Sequence, residues 1–94
     1  MPYMQIRHKV QDYAVWKAAF DEHASTRKAA GSKGGWLFRS ADDPNELVAI
    51  FEWDSLENAR KFVGSDDLRQ AMEQAGVTGP PDILFLDQVD TPSA

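Results

Sequence analysis

Apolar and polar residues alternate from Tyr3 to Val10, with Met4, Ile6, His8 and Val10 on one side and Tyr3, Gln5, Arg7 and Lys9 on the other. That is the period of a half-buried strand. The period then lengthens. Asp12 is placed to cap a helix, and Tyr13, Trp16, Phe20, His23 and Arg27 follow at spacings of three and four along one stripe until Gly31 ends it. Gly34 and Gly35 lead into a second strand, Trp36-Leu37-Phe38-Arg39, and the turn formers Asp42-Asp43-Pro44-Asn45 make a hairpin with a third strand, Leu47 to Trp53.

That third strand is apolar at six of its seven positions, so both of its faces should be covered. Asp54 with Glu57 resembles a capping box for the next helix, whose inner face is Leu56, Ala59, Phe62 and Val63. Gly64 interrupts it, and Ser65 caps a further helical stretch with Leu68, Ala71, Met72 and Ala75 inward, up to Gly76. Gly79-Pro80-Pro81 predicts an extended connection before a fourth strand, Ile83 to Val89.

The resulting order of strand, helix, strand, strand, helix, strand predicts an α+β, ferredoxin-like βαββαβ fold with a four-stranded antiparallel sheet. Residues 1–90 are expected to form this one domain and 91–94 a short polar tail. Two helical layers cover only one face of such a sheet. The apolar residues left on the other face predict a two-fold homodimer, sheet against sheet, the dimeric α/β barrel arrangement.

Charge and composition remove several function classes. Fifteen acidic residues oppose ten basic ones, for a net charge of -5, and no segment clusters Lys and Arg without interleaved acids, so no nucleic-acid partner is expected. The chain has no cysteine, which excludes zinc–thiolate sites, iron–sulfur clusters and thiol nucleophiles. Its two histidines and scattered carboxylates have no metal-ligand spacing, and no phosphate loop, Rossmann fingerprint, HExxH or nucleophile elbow occurs. No apolar run is long enough for a membrane span or a signal-peptide core, and the chain reads as cytoplasmic.

The segment His8-Lys9-Val10-Gln11-Asp12-Tyr13, with Trp16-Lys17 and Phe20-Asp21, resembles the antibiotic biosynthesis monooxygenase-like branch of the dimeric α/β-barrel superfamily. Arg27, Gly31, Asp42-Asp43-Pro44-Asn45-Glu46, Glu52-Trp53 and Leu56-Glu57-Asn58-Ala59-Arg60 extend the likeness over nearly the whole chain. The resemblance implies a ligand pocket between sheet and helices in each subunit. It also implies an activity drawn from a range that includes cofactor-free monooxygenases, polyketide cyclases and haem-degrading enzymes. Leu56 to Ala75 lacks the helical histidine that haem-degrading relatives place there, so the expected reading carries no haem and no other cofactor. Histidine is likewise missing from Ile83 to Val89, where a cyclase-type site would call for one.

Seven residues are candidates for the site. His8 falls among apolar neighbours, where it is either a general acid/base near neutral pH or a buried histidine satisfied by a backbone carbonyl. Arg27 carries a fixed charge suited to a phenolate or enolate oxygen, or else pairs with Asp21 or Glu22. His23, one turn before it, either lines the pocket mouth or reaches for water. Trp36 is expected to line a cavity, Trp16 and Phe20 to be core with a pocket-facing edge, and Arg69 to reach over the cleft or pair with Glu73. Together these favour a cofactor-independent monooxygenase-like enzyme acting on a small aromatic or polyketide-like molecule. The alternatives are a non-catalytic binding or stress-related domain, a cyclase-like protein, and a structural protein with no pocket.

Overall fold

The computed structural model describes residues 2–94; Met1, which the expected domain includes, lies outside the described residues. The alternating segment forms β1 (Pro2–Val10), whose buried residues are Met4, Ile6, His8 and Val10, as its pattern predicts. Asp12 caps α1 (Tyr13–Glu22), its carboxylate accepting from the backbone N–H groups of Ala14 and Val15. The stripe expected to be one helix is broken at His23 into α1 and α2 (Ala24–Ala30). The break is slight, because His23 keeps a right-handed helical backbone and its carbonyl still accepts from Arg27, so the stripe continues across it.

Gly31 ends α2 at a φ of 123°, a conformation that side chains avoid. The next strand starts earlier than expected. β2 runs Ser32–Arg39, and a bulge between Ser32 and Gly35 absorbs the glycines. A Cβ on Gly35 would collide with the Ile50 carbonyl of β3 (Glu46–Trp53), so this crossing admits only glycine.

α3 (Leu56–Val63) is capped by Ser55, not Asp54. The Ser55 hydroxyl accepts from the Asn58 N–H at 3.1 Å, while the Asp54 carboxylate accepts from the Asn58 side-chain amide. The helix therefore starts one residue later, and Leu56, expected on the inner face with Ala59 and Phe62, is its first residue and exposed. Ser65 caps α4 (Asp66–Gln74) as expected. The Gly79-Pro80-Pro81 segment is not a separate connection. It belongs to β4, Val77–Asp87, as a bulge opposite His8, where the β1 pairing jumps from Arg7↔Asp82 to Lys9↔Thr78. β4 is an edge strand, so prolines without an N–H are tolerated there. Val89, expected in the strand, lies beyond its end.

The sheet is antiparallel in the order β2-β3-β1-β4, and the helices cover one face. Its buried side packs Met4, Ile6, Ala49, Phe51 and Trp53 against Ala59, Phe62 and Leu68. A second group joins Val10, Trp16, Leu47 and Ala75. The opposite face carries Trp36 and Phe38 of β2, Val48 and Ile50 of β3, and Leu84 and Leu86 of β4. Trp36, Phe38 and Leu84 are each more than half exposed in the single chain. Among the described residues no helix is long and apolar enough to cross a membrane.

Candidate functional site

Between the helices and the sheet lies a cavity of about 50 Å³. Its floor is Ile6 and His8 of β1 with Ala49 and Phe51 of β3. Trp16, Ala19 and Phe20 of α1, His23, and Arg27 of α2 form one wall, and Leu68, Ala71 and Met72 of α4 with Ala75 form the other. Phe62 of α3 completes the lining. The lining is apolar apart from two histidines and one arginine.

His8 is held there by strand parity: it alternates with Ile6 and Val10 onto the helix side and is 7% exposed. Neither of its ring nitrogens has a hydrogen-bond partner among the described residues. A buried, unpaired polar group costs about 1–3 kcal/mol, so this arrangement is unfavourable for a purely structural residue. It removes the expectation of a histidine locked to a backbone carbonyl. Burial pushes the imidazole pKa below its ordinary 6.5, so the ring is neutral at pH 7 and offers one N–H donor and one acceptor nitrogen to the cavity. The Trp16 ring lies 5.4 Å from it.

Arg27 occupies the same cavity from α2. Its guanidinium lies 4.0 Å above the centre of the Phe20 ring and 5.3 Å from that of Phe51, and it donates to the Phe20 carbonyl at 2.8 Å. That carbonyl is among the last of α1, where helical acceptors lack partners, so the contact also secures the α1–α2 junction. Arg27 forms no ion pair with Asp21 or Glu22 among the described residues; Asp21 pairs with Lys17 instead. Burial lowers the Arg27 pKa, with Asp21 opposing the shift, yet a guanidinium stays charged throughout the physiological range. His23 is partly exposed at the rim, its ring 5.9 Å from that of Phe62. Its pKa is lowered first by burial and then by Arg27, against a raising effect of Asp67.

The structure thus brings His8, His23, Arg27, Trp16 and Phe20 together and leaves two candidates outside. Trp36 is on the opposite face of the sheet, opposite Ile50 in the strand pairing and stacked 6.3 Å from Tyr3, so it does not line this cavity. Arg69 is outside this cavity, on the surface groove between α4 and β4, where it meets Asp66 at 3.4 Å and Glu73 at 3.8 Å, the second of the two roles its position allowed. Sequence reasoning placed Met72, Leu68 and Ala71 on an inner face but gave them no part in the site. Their signal was the apolar stripe of α4, which does not distinguish packing from lining a cavity. Among the described residues, no group of three or more His, Asp or Glu side chains is placed to hold a metal ion.

No family model and no curated relative matches the chain. Solved structures do. SnoaB, a cofactor-independent oxygenase from Streptomyces nogalater, superposes with a TM-score of 0.79 at 18% identity, over 99% of this chain and 97% of its own. A Bordetella bronchiseptica protein named for the antibiotic biosynthesis monooxygenases superposes at 0.78 with 21% identity, over 94% and 97% of the two chains. One from Caulobacter crescentus, similarly named, gives 0.74 at 23%, over 95% and 90%. At these identities the likeness is one of architecture, and the chain has the ferredoxin-like α+β fold of the antibiotic biosynthesis monooxygenase-like structures.

Proposed function

We propose that this protein is a cofactor-independent, monooxygenase-like enzyme that acts on a small aromatic or polyketide-like molecule. The observation that carries the reading is the neutral His8 imidazole, buried in an apolar cavity with both nitrogens unpaired among the described residues. The described fold of SnoaB agrees with it. In this mechanism a phenol or enol lies against the aromatic wall of Trp16 and Phe20. His8 takes its proton through the acceptor nitrogen, and the Arg27 charge stabilises the resulting oxyanion. The electron-rich anion reduces dioxygen and combines with it through carbon, and His8 returns its proton to the resulting peroxide. Loss of water from the hydroperoxide leaves a new carbonyl, with one oxygen atom in the product and the other in water. His23, at the rim, exchanges protons with solvent.

The working unit of this proposal is a homodimer closed over the open sheet face, with no nucleic-acid or membrane partner, in the cytoplasm. Trp36 then belongs to the interface, not to the substrate.

One observation favours a second reading, a non-catalytic domain whose cleft merely survives from an enzymatic ancestor. A cavity of about 50 Å³ holds a water or two and is well below the roughly 300 Å³ at which small-molecule sites begin. Oxygen uptake with anthrone-like and hydroxyquinone compounds separates the two. The enzymatic reading expects uptake matched by quinone formation and a fall of about 10²–10⁴-fold in His8→Ala. No oxygen consumed, whether or not these compounds bind, would establish the non-catalytic reading instead.

A further inference from the structure

The two walls of the cavity differ in stiffness. On the α1 side the Trp16 and Phe20 rings are stacked at 4.7 Å, and Arg27 lies 4.0 Å over Phe20 while bonded to its carbonyl, so movement of any one displaces the others. On the α4 side the wall is Leu68 and Met72, and the same two residues line a surface groove of about 240 Å³ between α4 and the Pro81–Ile83 stretch of β4. These side chains are therefore a partition one residue thick between His8's cavity and an open groove. Met72 is only partly buried, and its unbranched thioether has three rotatable bonds. Leu68 is branched and 8% exposed. The element that yields is Met72.

We infer that Met72 is the size-determining residue of the site: a planar ligand of two or more fused rings reaches His8 from the α4–β4 groove, by swinging the Met72 side chain out of the partition. This rests on the reading of the His8 cavity as the ligand site. With the partition open, cavity and groove together approach the volume of ordinary small-molecule sites, which the cavity alone does not. A single ring needs less displacement, so Met72 discriminates by ring number and leaves recognition of the hydroxyl to His8.

The test follows the His8 Cε1–H resonance in ¹³C-histidine-labelled protein during titration with phenol and with 1-naphthol, which differ by one ring and share one hydroxyl. Met72→Ala is expected to bind 1-naphthol about tenfold more tightly than the native protein, the scale on which small volume changes act in apolar pockets, with a smaller gain for phenol. Met72→Trp, which plugs the partition, is expected to lose 1-naphthol and keep phenol. Should that variant not fold, Met72→Leu holds the volume but stiffens the side chain, and should weaken 1-naphthol several-fold relative to phenol. Equal 1-naphthol affinity in the native protein, Met72→Ala and Met72→Leu, with His8 shifting in all three, overturns the role of Met72 and leaves the cavity reading intact. If neither probe moves the His8 resonance in the native protein or in Met72→Ala, the cavity reading itself falls, and this inference with it.

Discussion

The His8 imidazole lies 5.4 Å from the Trp16 indole, ring centre to ring centre, and neither of its nitrogens has a hydrogen-bond partner among the described residues. Such a group works against folding. Replacing it with an apolar residue of similar size removes the penalty, so His8→Leu should be as stable as the native protein at pH 7 or more stable by about 1 kcal/mol. The difference should widen in acid. His8 has a folded pKa below its ordinary 6.5, so as the pH falls below 6.5 the unfolded chain binds a proton that the folded one resists, and native stability drops. The lowered His23 pKa acts in the same direction in both proteins and cancels in the comparison. Urea unfolding of the two at pH 7 and pH 5 checks this; a gap that stays constant or narrows at pH 5 would contradict it.

Arg27 holds together the junction where the long helical stripe breaks. Arg27→Met keeps much of the side-chain bulk over Phe20 but loses the cation–π contact and the bond to the Phe20 carbonyl. The expected loss is about 1–2 kcal/mol in urea unfolding, with the protection of amides around His23 against hydrogen exchange falling most. An unchanged unfolding midpoint would mean that the guanidinium is held there without contributing to the fold.

The parity of β1 was legible because its two sides differ: Met4, Ile6, His8 and Val10 oppose charged and polar residues, and one register alone buries them. The Trp36-Leu37-Phe38 strand has no such contrast. Both parities are apolar, and the choice is made by pairing with β3, which sets Leu37 beside Ala49 on the helix side and sends Trp36 to the open face beside Ile50. No local pattern encodes that. The orphaned nitrogens of His8 were equally hidden, since a strand pattern shows that a histidine is buried and not whether anything bonds to it. Arg69 left two readings open for a related reason: it neighbours the inward Leu68, but one residue along a helix turns a side chain by about 100°, and the pair with Glu73 forms, with Asp66 beside it.

The open face supplies a prediction about assembly. Trp36, Phe38 and Leu84 are 55%, 54% and 52% exposed; Trp36 and Phe38 join Val48 and Ile50 in an apolar surface over β2 and β3, and Leu84 lies on the far edge strand beyond the Gln5 row of β1. A dimer closed over this face should appear in sedimentation equilibrium of the native protein. Charge placed on both edge strands of this face, in the double variant Trp36→Glu and Leu84→Glu, should yield a monomer, because burying two unpaired carboxylates costs more than the apolar contact returns. A dimer that persists in the double variant would place the interface elsewhere.

The tight crossing of β2 and β3 makes the last prediction. Gly35 lies at the end of the β2 bulge with its Cα directed at the Ile50 carbonyl, so that any Cβ meets backbone, which cannot swing aside as a side chain would. Gly35→Ala must separate the strands locally, and strands that pair at about 4.8 Å have no slack in that direction. A loss of about 2–3 kcal/mol is expected in urea unfolding, within the range for substitutions that force a backbone shift. Gly34→Ala is the control: it has open space around it but a φ of 94°, so its cost is conformational only and should be about 1 kcal/mol. Because Phe51, the β3 partner of Gly35, forms part of the cavity floor, Gly35→Ala should also alter the His8 environment, visible as a shifted His8 ring resonance, whereas Gly34→Ala should leave that resonance in place. Equal costs for the two substitutions, or a His8 resonance indifferent to both, would show that the crossing is looser than its geometry indicates.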